Sequence, residues 1–358
     1  MSTPFAARAG AVGDPPEHYG DPIGEQRPLA SGAAVVDLSD RDVVTITGPD
    51  RLSWLDSLTT QSIAKLAPGA SAETMLLDPT GRIEYVARVL DDGATTWLLM
   101  DAGTGAGFAG FLDRMRFMLQ VEVADRSADF ATIGTFGDAP AASAAPNGVP
   151  LVWNDPWAAV QPGGFQYAAG AHPSEGWTYR EALVERSRLG ELDALPAAGT
   201  LALEALRIAA WRPRAITELD ERAIPHEFDW LRSAVHLAKG CYRGQETVAK
   251  VHNLGHPPRR LVMLHLDGSD AVLPAPGAEV RLGRPDAEGR AVGHVTAAAR
   301  HHELGPIALA LVKRSADVDA ELTIDVDGVL VPAAQQVIVP PSAGATADVP
   351  RLPRLGAR

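Results

Sequence analysis

The octapeptide Lys239-Gly240-Cys241-Tyr242-Arg243-Gly244-Gln245-Glu246 holds the single cysteine of the chain between two glycines and two cations. Glycines at that spacing permit a tight, exposed backbone path. A helix starting near Gln245 would aim its N-terminal amides at the loop, and with Lys239 and Arg243 it would favour the thiolate of Cys241. A sulfur nucleophile or a thiol-exchange site needs that environment, which makes Cys241 and Lys239 the candidate catalytic pair. The competing reading is a small buried apolar residue, a common fate of cysteine. Spacing alone leaves the two evenly matched.

A second pattern, Gly105-Ala106-Gly107-Phe108-Ala109-Gly110, fits a dinucleotide-binding fingerprint, with Asp125 twenty positions after Gly105. Three features weigh against it. The glycines come several residues after the strand Trp97 to Met100, Asp101 would set a negative charge beside a pyrophosphate, and no alternating βαβ pattern continues. His252 and His256 are four apart, but Gly255, Pro257 and Pro258 interrupt any helix that would align them, and His301-His302 falls in a turn. Solvated or capping histidines are expected, and no metal site. One thiol cannot supply the four ligands of an iron–sulfur cluster, and it cannot form an internal disulfide, which suits a reducing cytoplasm.

The elements that must position these groups read as follows. Alternation marks strands at Val35 to Ser39 and Val43 to Thr47, and Asp50 is placed to cap a helix carrying Leu52, Trp54, Leu55 and Leu58. Met75 to Leu77, the turn Asp78-Pro79-Thr80-Gly81 and Ile83 to Leu90 read as a hairpin. A strand at Thr96 to Met100, a helix with Phe108 through Met118 and a strand at Val121 to Val123 follow, with Trp54, Met115, Phe117 and Met118 assigned to the core. Beyond a loop at 138–150 come strands near Leu151 to Trp153 and Gln166 to Ala169, then helices at Tyr179 to Leu189 and Leu201 to Trp211. Residues 212–255 read as a long ordered loop with a short helix near Gln245. Five short runs between Arg260 and Val331 suit a small antiparallel barrel.

The 358 residues suffice for more than one compact unit. A net charge of −13 argues against nucleic acid or an anionic membrane as partner of the whole surface. No apolar run approaches a bilayer span. Residues 1–30 lack the apolar core of a signal and carry several acids, so they read as a flexible cytoplasmic N-terminus. Residues 342–358 read as a disordered tail.

The octapeptide resembles the K-G-C-Y-x-G-Q-E signature of YgfZ-type folate-binding proteins, relatives of the glycine-cleavage T-protein. Ala205-Leu206-Arg207-Ile208, Ile224-Pro225-His226-Glu227, Arg259-Arg260-Leu261 and the upstream Gly48-Pro49-Asp50 and Pro79-Thr80-Gly81-Arg82-Ile83 extend the likeness over roughly Ser31 to Pro340. It implies an α+β fold: a T-protein-like folate-binding domain of two interleaved α/β halves over 31–258, with a C-terminal antiparallel β-barrel over 259–341. It also implies tetrahydrofolate as ligand, iron–sulfur client proteins as partners, and a supporting role in iron–sulfur cluster assembly or maintenance, including a tRNA-thiolating enzyme, without direct nucleic-acid contact. Tyr242, Arg243, Gln245, Glu246, Glu84, Arg207 and Glu227 are the ligand-binding candidates that follow from it.

Between Glu204 and Arg260 ten Lys/Arg face seven Asp/Glu, a local +3 that would suit a folate's glutamate tail. The chain departs from the relatives twice: Glu84-Tyr85 replaces an acidic pair, and Ala209 stands where a glutamate is usual. A carboxylate is the natural partner of a pterin's N–H donors, so these departures weigh against full aminomethyl transfer. The alternatives are a tetrahydrofolate-dependent one-carbon transferase using Glu84, and a folate-sensing module without chemistry.

Overall fold

The computed structural model describes residues 3–269, 272–283 and 289–347. Two five-stranded sheets and a barrel share one principal core. The first sheet runs in the order Val152–Asn154, Arg180–Glu185, Phe130–Thr135, Val35–Leu38, Ala197–Ala198. The second runs Ser71–Leu77, Ile83–Asp91, Thr95–Met100, Asp42–Thr47, Glu122–Asp125. The chain leaves the first sheet at Leu38 and enters the second at Asp42, so neither half is a continuous stretch of sequence. Trp153 fastens the two by donating its indole N–H to the Ala72 carbonyl at 2.7 Å.

Arg259–Leu266, Glu279–Leu282, Ala291–His301, Gly305–Lys313, Leu322–Val326 and Val329–Val337 close the barrel. The run expected as one strand over Leu322 to Val331 is two, turned by Asp327 and Gly328 in the left-handed region.

Several expectations are corrected. Tyr179 to Leu189 is not a helix: Arg180–Glu185 is a strand between Val152–Asn154 and Phe130–Thr135, followed by a 3₁₀ helix over Arg186–Leu192. Ala182-Leu183-Val184 is fully buried, and so short an apolar run has no period that separates strand from helix. The strand Phe130–Thr135 went unrecognised, and 166–169 forms none. Phe117 and Met118 are 79% and 98% exposed, because the helix Gly105–Met115 ends before them. Asp50 makes no side-chain cap; its carboxylate accepts the Gln120 N–H instead.

The N-terminus is packed, not flexible. Phe5 is fully buried, Thr3 donates to the Asp37 carboxylate, and Arg8 donates to the carbonyls of Leu192 and Leu195. Of the tail, Thr346 and Ala347 donate backbone N–H groups to His252 and Asn253; residues 348–358 lie outside the described residues.

The fingerprint glycines serve packing. The N–H of Gly105, at the helix start where a phosphate would sit, is taken by the Asp42 carboxylate at 2.7 Å. A Cβ on Gly107 would meet the Tyr85 hydroxyl at 2.6 Å. A carboxylate already seated on that amide excludes a pyrophosphate there.

Around Asp229 the packing stores a pH dependence. Asp229 sits in left-handed backbone, fully buried, accepting the Tyr167 N–H with one carboxylate oxygen while the other has no partner. Burial pushes its carboxyl up from 3.8 to about 7. The folded state therefore holds a proton that the unfolded chain releases. The associated stability is complete below pH 3.8 and is lost as pH rises through 7. Asp229→Asn keeps the accepting oxygen and suits left-handed backbone. It is expected to be more stable than wild type at pH 8 by roughly 2–4 kcal/mol and to lose that advantage by pH 4, read by urea unfolding at the two values.

Candidate functional site

The octapeptide is docked on the hairpin turn that the sequence singled out. Gly244, left-handed at φ 82°, starts the helix Gln245–Leu254, and a Cβ there would lie 2.6 Å from the Asp78 carbonyl and 3.0 Å from the Gly81 Cα. The turn is held by Asp78, whose carboxylate accepts the Thr80 and Arg82 N–H groups. The second glycine of the motif thus permits a backbone-to-backbone contact.

Lys239 clamps the loop to the segment 56–61. Its ammonium donates to the carbonyls of Asp56, Thr59 and Gln61 at 2.6, 2.9 and 2.8 Å, with the Asp56 carboxylate at 3.3 Å. All three N–H donors are engaged. Burial lowers its pKa, and Asp56 opposes that shift. Gln245 braces the loop by donating to the Lys239 carbonyl at 3.2 Å. Tyr242 is buried with its hydroxyl unpartnered, and Glu246 is exposed in the first helical turn.

Cys241 is exposed. Arg243 and Glu84 form a forked ion pair at 2.7 and 3.4 Å, with the guanidinium also over the Phe111 ring. These two ligand candidates therefore satisfy each other at a partly exposed position. Glu227 is fully buried and bound to Arg259 through two 2.8 Å contacts. Of the residues expected to meet a ligand, only Arg207 reaches the central cavity.

That cavity, about 300 Å³, lies between the halves. Arg41, Arg88, Arg207, Arg212 and Arg214 enter it, together with Asp155, Tyr179, Glu181 and Glu204. The hairpin of Val12–Gly13 and Pro16–His18 contributes Gly13, Asp14, Pro15 and Glu17. No lining residue comes from 239–246.

Nearly every charge here is matched. Glu181 accepts from Arg41 and from the Tyr179 hydroxyl at 3.0 Å, with Arg88 at 3.4 Å. Arg212 bridges Glu73 at 2.6 Å and Asp155 at 2.9 Å. Arg207 holds Glu204 and Glu218, and Asp101 faces Arg88 at 3.1 Å. Burial alone would raise the Glu181 carboxyl, but Arg41 and Arg88 outweigh it and keep the group ionised. Asp101 is likewise held well below the usual carboxylate range by Arg88, Arg214 and Arg41, against its burial. Three buried side-chain atoms of these lining residues lack a hydrogen-bond partner, the Nε groups of Arg41 and Arg214 and Oε2 of Glu181. The last is the one acceptor among them, since Oε1 carries the Glu181 contacts.

The sequence reading missed Glu73, Arg88, Asp101, Glu181, Arg212 and Arg214. The available signal was a charge inside an otherwise apolar strand, as in Ser71–Leu77, Ile83–Asp91 and Arg180–Glu185, since such charges are rarely buried without a partner or a purpose. Among the described residues no group of three His, Cys, Asp or Glu side chains is placed to hold a metal, and no helix is long and apolar enough to cross a membrane.

Residues 259–341 match the family model of the glycine cleavage T-protein C-terminal barrel domain. The crystal structure of glycine cleavage system aminomethyltransferase T from Bartonella henselae superposes with a TM-score of 0.71 at 18% identity, covering 96% of this chain and 99% of that one. The fold is therefore T-protein-like. An aminomethyltransferase of Herpetosiphon aurantiacus is 27% identical over 348 residues, 90% of this chain and 93% of that protein. A protein of Arabidopsis thaliana named "Putative transferase, chloroplastic" is 26% identical over 324 residues, 84% of this chain and 70% of that protein.

The clamp at Lys239 has a direct consequence. Lys239→Met should lower folding stability by about 3 kcal/mol in urea titrations, because three carbonyls lose a charged donor. The alkylation rate of Cys241 in the folded protein should stay unchanged. A catalytic amine would give the opposite pattern.

Proposed function

We propose that this chain binds a reduced folate in the cavity between its two α/β halves and acts as a folate-binding accessory protein in iron–sulfur cluster maintenance. The observation that carries the folate reading is the unpartnered Oε2 of Glu181, a buried acceptor on an ionised residue that lines the cavity. A buried carboxylate oxygen without a donor is costly, and a 2-amino group beside a ring N–H is the pairing that would satisfy it. The sequence had sought this carboxylate at position 209; Glu181 offers it from the strand Arg180–Glu185.

The cavity volume stands at the lower end of small-molecule sites, which suits a pterin head with its tail directed outward. Trp177 and Tyr179 supply aromatic wall, and Arg207 is held in place by Glu204 and Glu218. Bound tetrahydrofolate would supply a nucleophilic nitrogen able to accept one-carbon units. The chain's own residues hold and orient the ring; Asp101 and Asp155 are each committed to guanidiniums.

The accessory reading draws on Cys241. Its sulfur is exposed on a loop braced by Lys239 and Gln245, outside the cavity. Such a thiol is accessible to a second protein rather than to a small molecule held between the halves. The iron–sulfur client rests on the resemblance of the octapeptide. A second reading, one-carbon transfer to tetrahydrofolate, is favoured by the name of the Herpetosiphon relative. Glu84, its expected carboxylate, is paired with Arg243 instead.

Calorimetric titration with 5-formyltetrahydrofolate should give saturable binding that Glu181→Gln weakens at least about tenfold, the scale of one charge-assisted contact. Wild-type protein that takes up no reduced folate would end the folate reading. In cells under oxidative stress, Cys241→Ser should lower iron–sulfur enzyme activity without altering folate affinity. Turnover of a methylamine donor by the purified protein would instead establish the transferase.

A further inference from the structure

The five guanidiniums at the cavity are not equivalent. Arg41, Arg88, Arg207 and Arg212 each have a carboxylate within hydrogen-bonding distance. Arg214 does not: its nearest carboxylate oxygen, on Asp101, is 3.6 Å away in a longer ion pair, and its side chain keeps 27% of its exposure. Its backbone is fixed all the same, because its N–H donates to the buried Glu218 carboxylate and it starts the helix Ala215–Glu218. The head group is therefore held only by this longer ion pair, while its root is fixed.

Moving that head group costs little. Asp101 retains Arg88 at 3.1 Å when Arg214 turns away, so no buried carboxylate is stranded. The cavity is also polarised. Exposed Asp14, Glu17 and Asp40 line it and repel a negative group, whereas Arg214 attracts one. A relay of contacts runs from Glu181 through Arg88 at 3.4 Å to Asp101 at 3.1 Å and on to Arg214 at 3.6 Å. The unpartnered acceptor and the most loosely paired cation are thus the two ends of one charged wall.

We propose that Arg214 receives the carboxylate tail of the cavity's ligand and so selects a folate bearing its glutamate over a tail-less pterin. The assignment rests on the folate reading above and adds the determinant of specificity. Arg is suited to the task because its planar fork meets a carboxylate through two parallel bonds.

The test is calorimetric titration of the full chain and of Arg214→Gln with 5-formyltetrahydrofolate and with 6-methyltetrahydropterin, which lacks the tail. Thermal melts confirm that both proteins are folded. Wild type should prefer the tailed compound. Arg214→Gln should weaken that compound about tenfold, the scale of a lost charge-assisted pair, and leave the tail-less one unchanged. Arg214→Lys should recover part of the loss. If the substitution leaves 5-formyltetrahydrofolate binding intact, or weakens both compounds equally, the assignment to Arg214 is wrong while folate binding stands. If wild type binds neither compound, the folate reading fails and this assignment falls with it.

Discussion

Guanidiniums packed around a small cavity can persist only where carboxylates accompany them, and that requirement organises the molecule. Removing one partner of a buried ion pair leaves an uncompensated charge, which is among the more destabilising single changes a protein can suffer. Here the partners come from different places. Arg88 lies in the second sheet and Glu181 in the first, while Arg212, just past the helix Thr200–Ala209, reaches Glu73 in the second sheet and Asp155 beyond the first. The other oxygen of Glu73 accepts from Trp230 and Ser233. The two halves are therefore keyed by charge as well as by apolar contact, and a register slip in either sheet would separate ions in a dry interior. The cavity is the space around which this lattice closes.

Against that rigid centre, the octapeptide does a different kind of work. Three of its members are spent on holding it: Lys239 on three carbonyls, Gln245 on the Lys239 carbonyl, and Gly244 on close approach to the Asp78–Gly81 turn. What this bracing presents is the cysteine and, beside it, an arginine already paired to Glu84. Motif and cavity are thus separate features, and a pattern that stands out in sequence need not mark the place where a ligand sits. It can mark a loop whose geometry is demanding.

Which parts were legible in the sequence follows the range of the interactions that decide them. The hairpin around the Asp78–Gly81 turn and four of the five expected barrel runs are set by local alternation and turn chemistry, and they appear where the residues place them. The last barrel run is split in two at Asp327-Gly328. The strand Arg180–Glu185 was misread because its apolar run is too short to show a period, so only its neighbours in the sheet define it. The charged lattice is harder still. Arg41 meets Glu181 and Glu73 meets Arg212 across about 140 positions, a separation at which no spacing rule operates. The resemblance found the fold, and of its ligand candidates Arg207 is the one that lines the cavity. It could not single out Glu181 or Arg214, which stand out only by the contacts they lack.

The roof of the cavity has a consequence for how the protein comes into being. Gly13, Asp14, Pro15 and Glu17 leave the ribosome well before the carbonyls of Leu192 and Leu195, to which they are moored through Arg8. Those mooring points emerge more than half the chain later, and loops that long close late. Synthesis order and assembly order are therefore inverted at this spot. Residues 8–17 must wait beside the growing polypeptide for 192–195, and that side of the chamber has no mooring until those residues arrive.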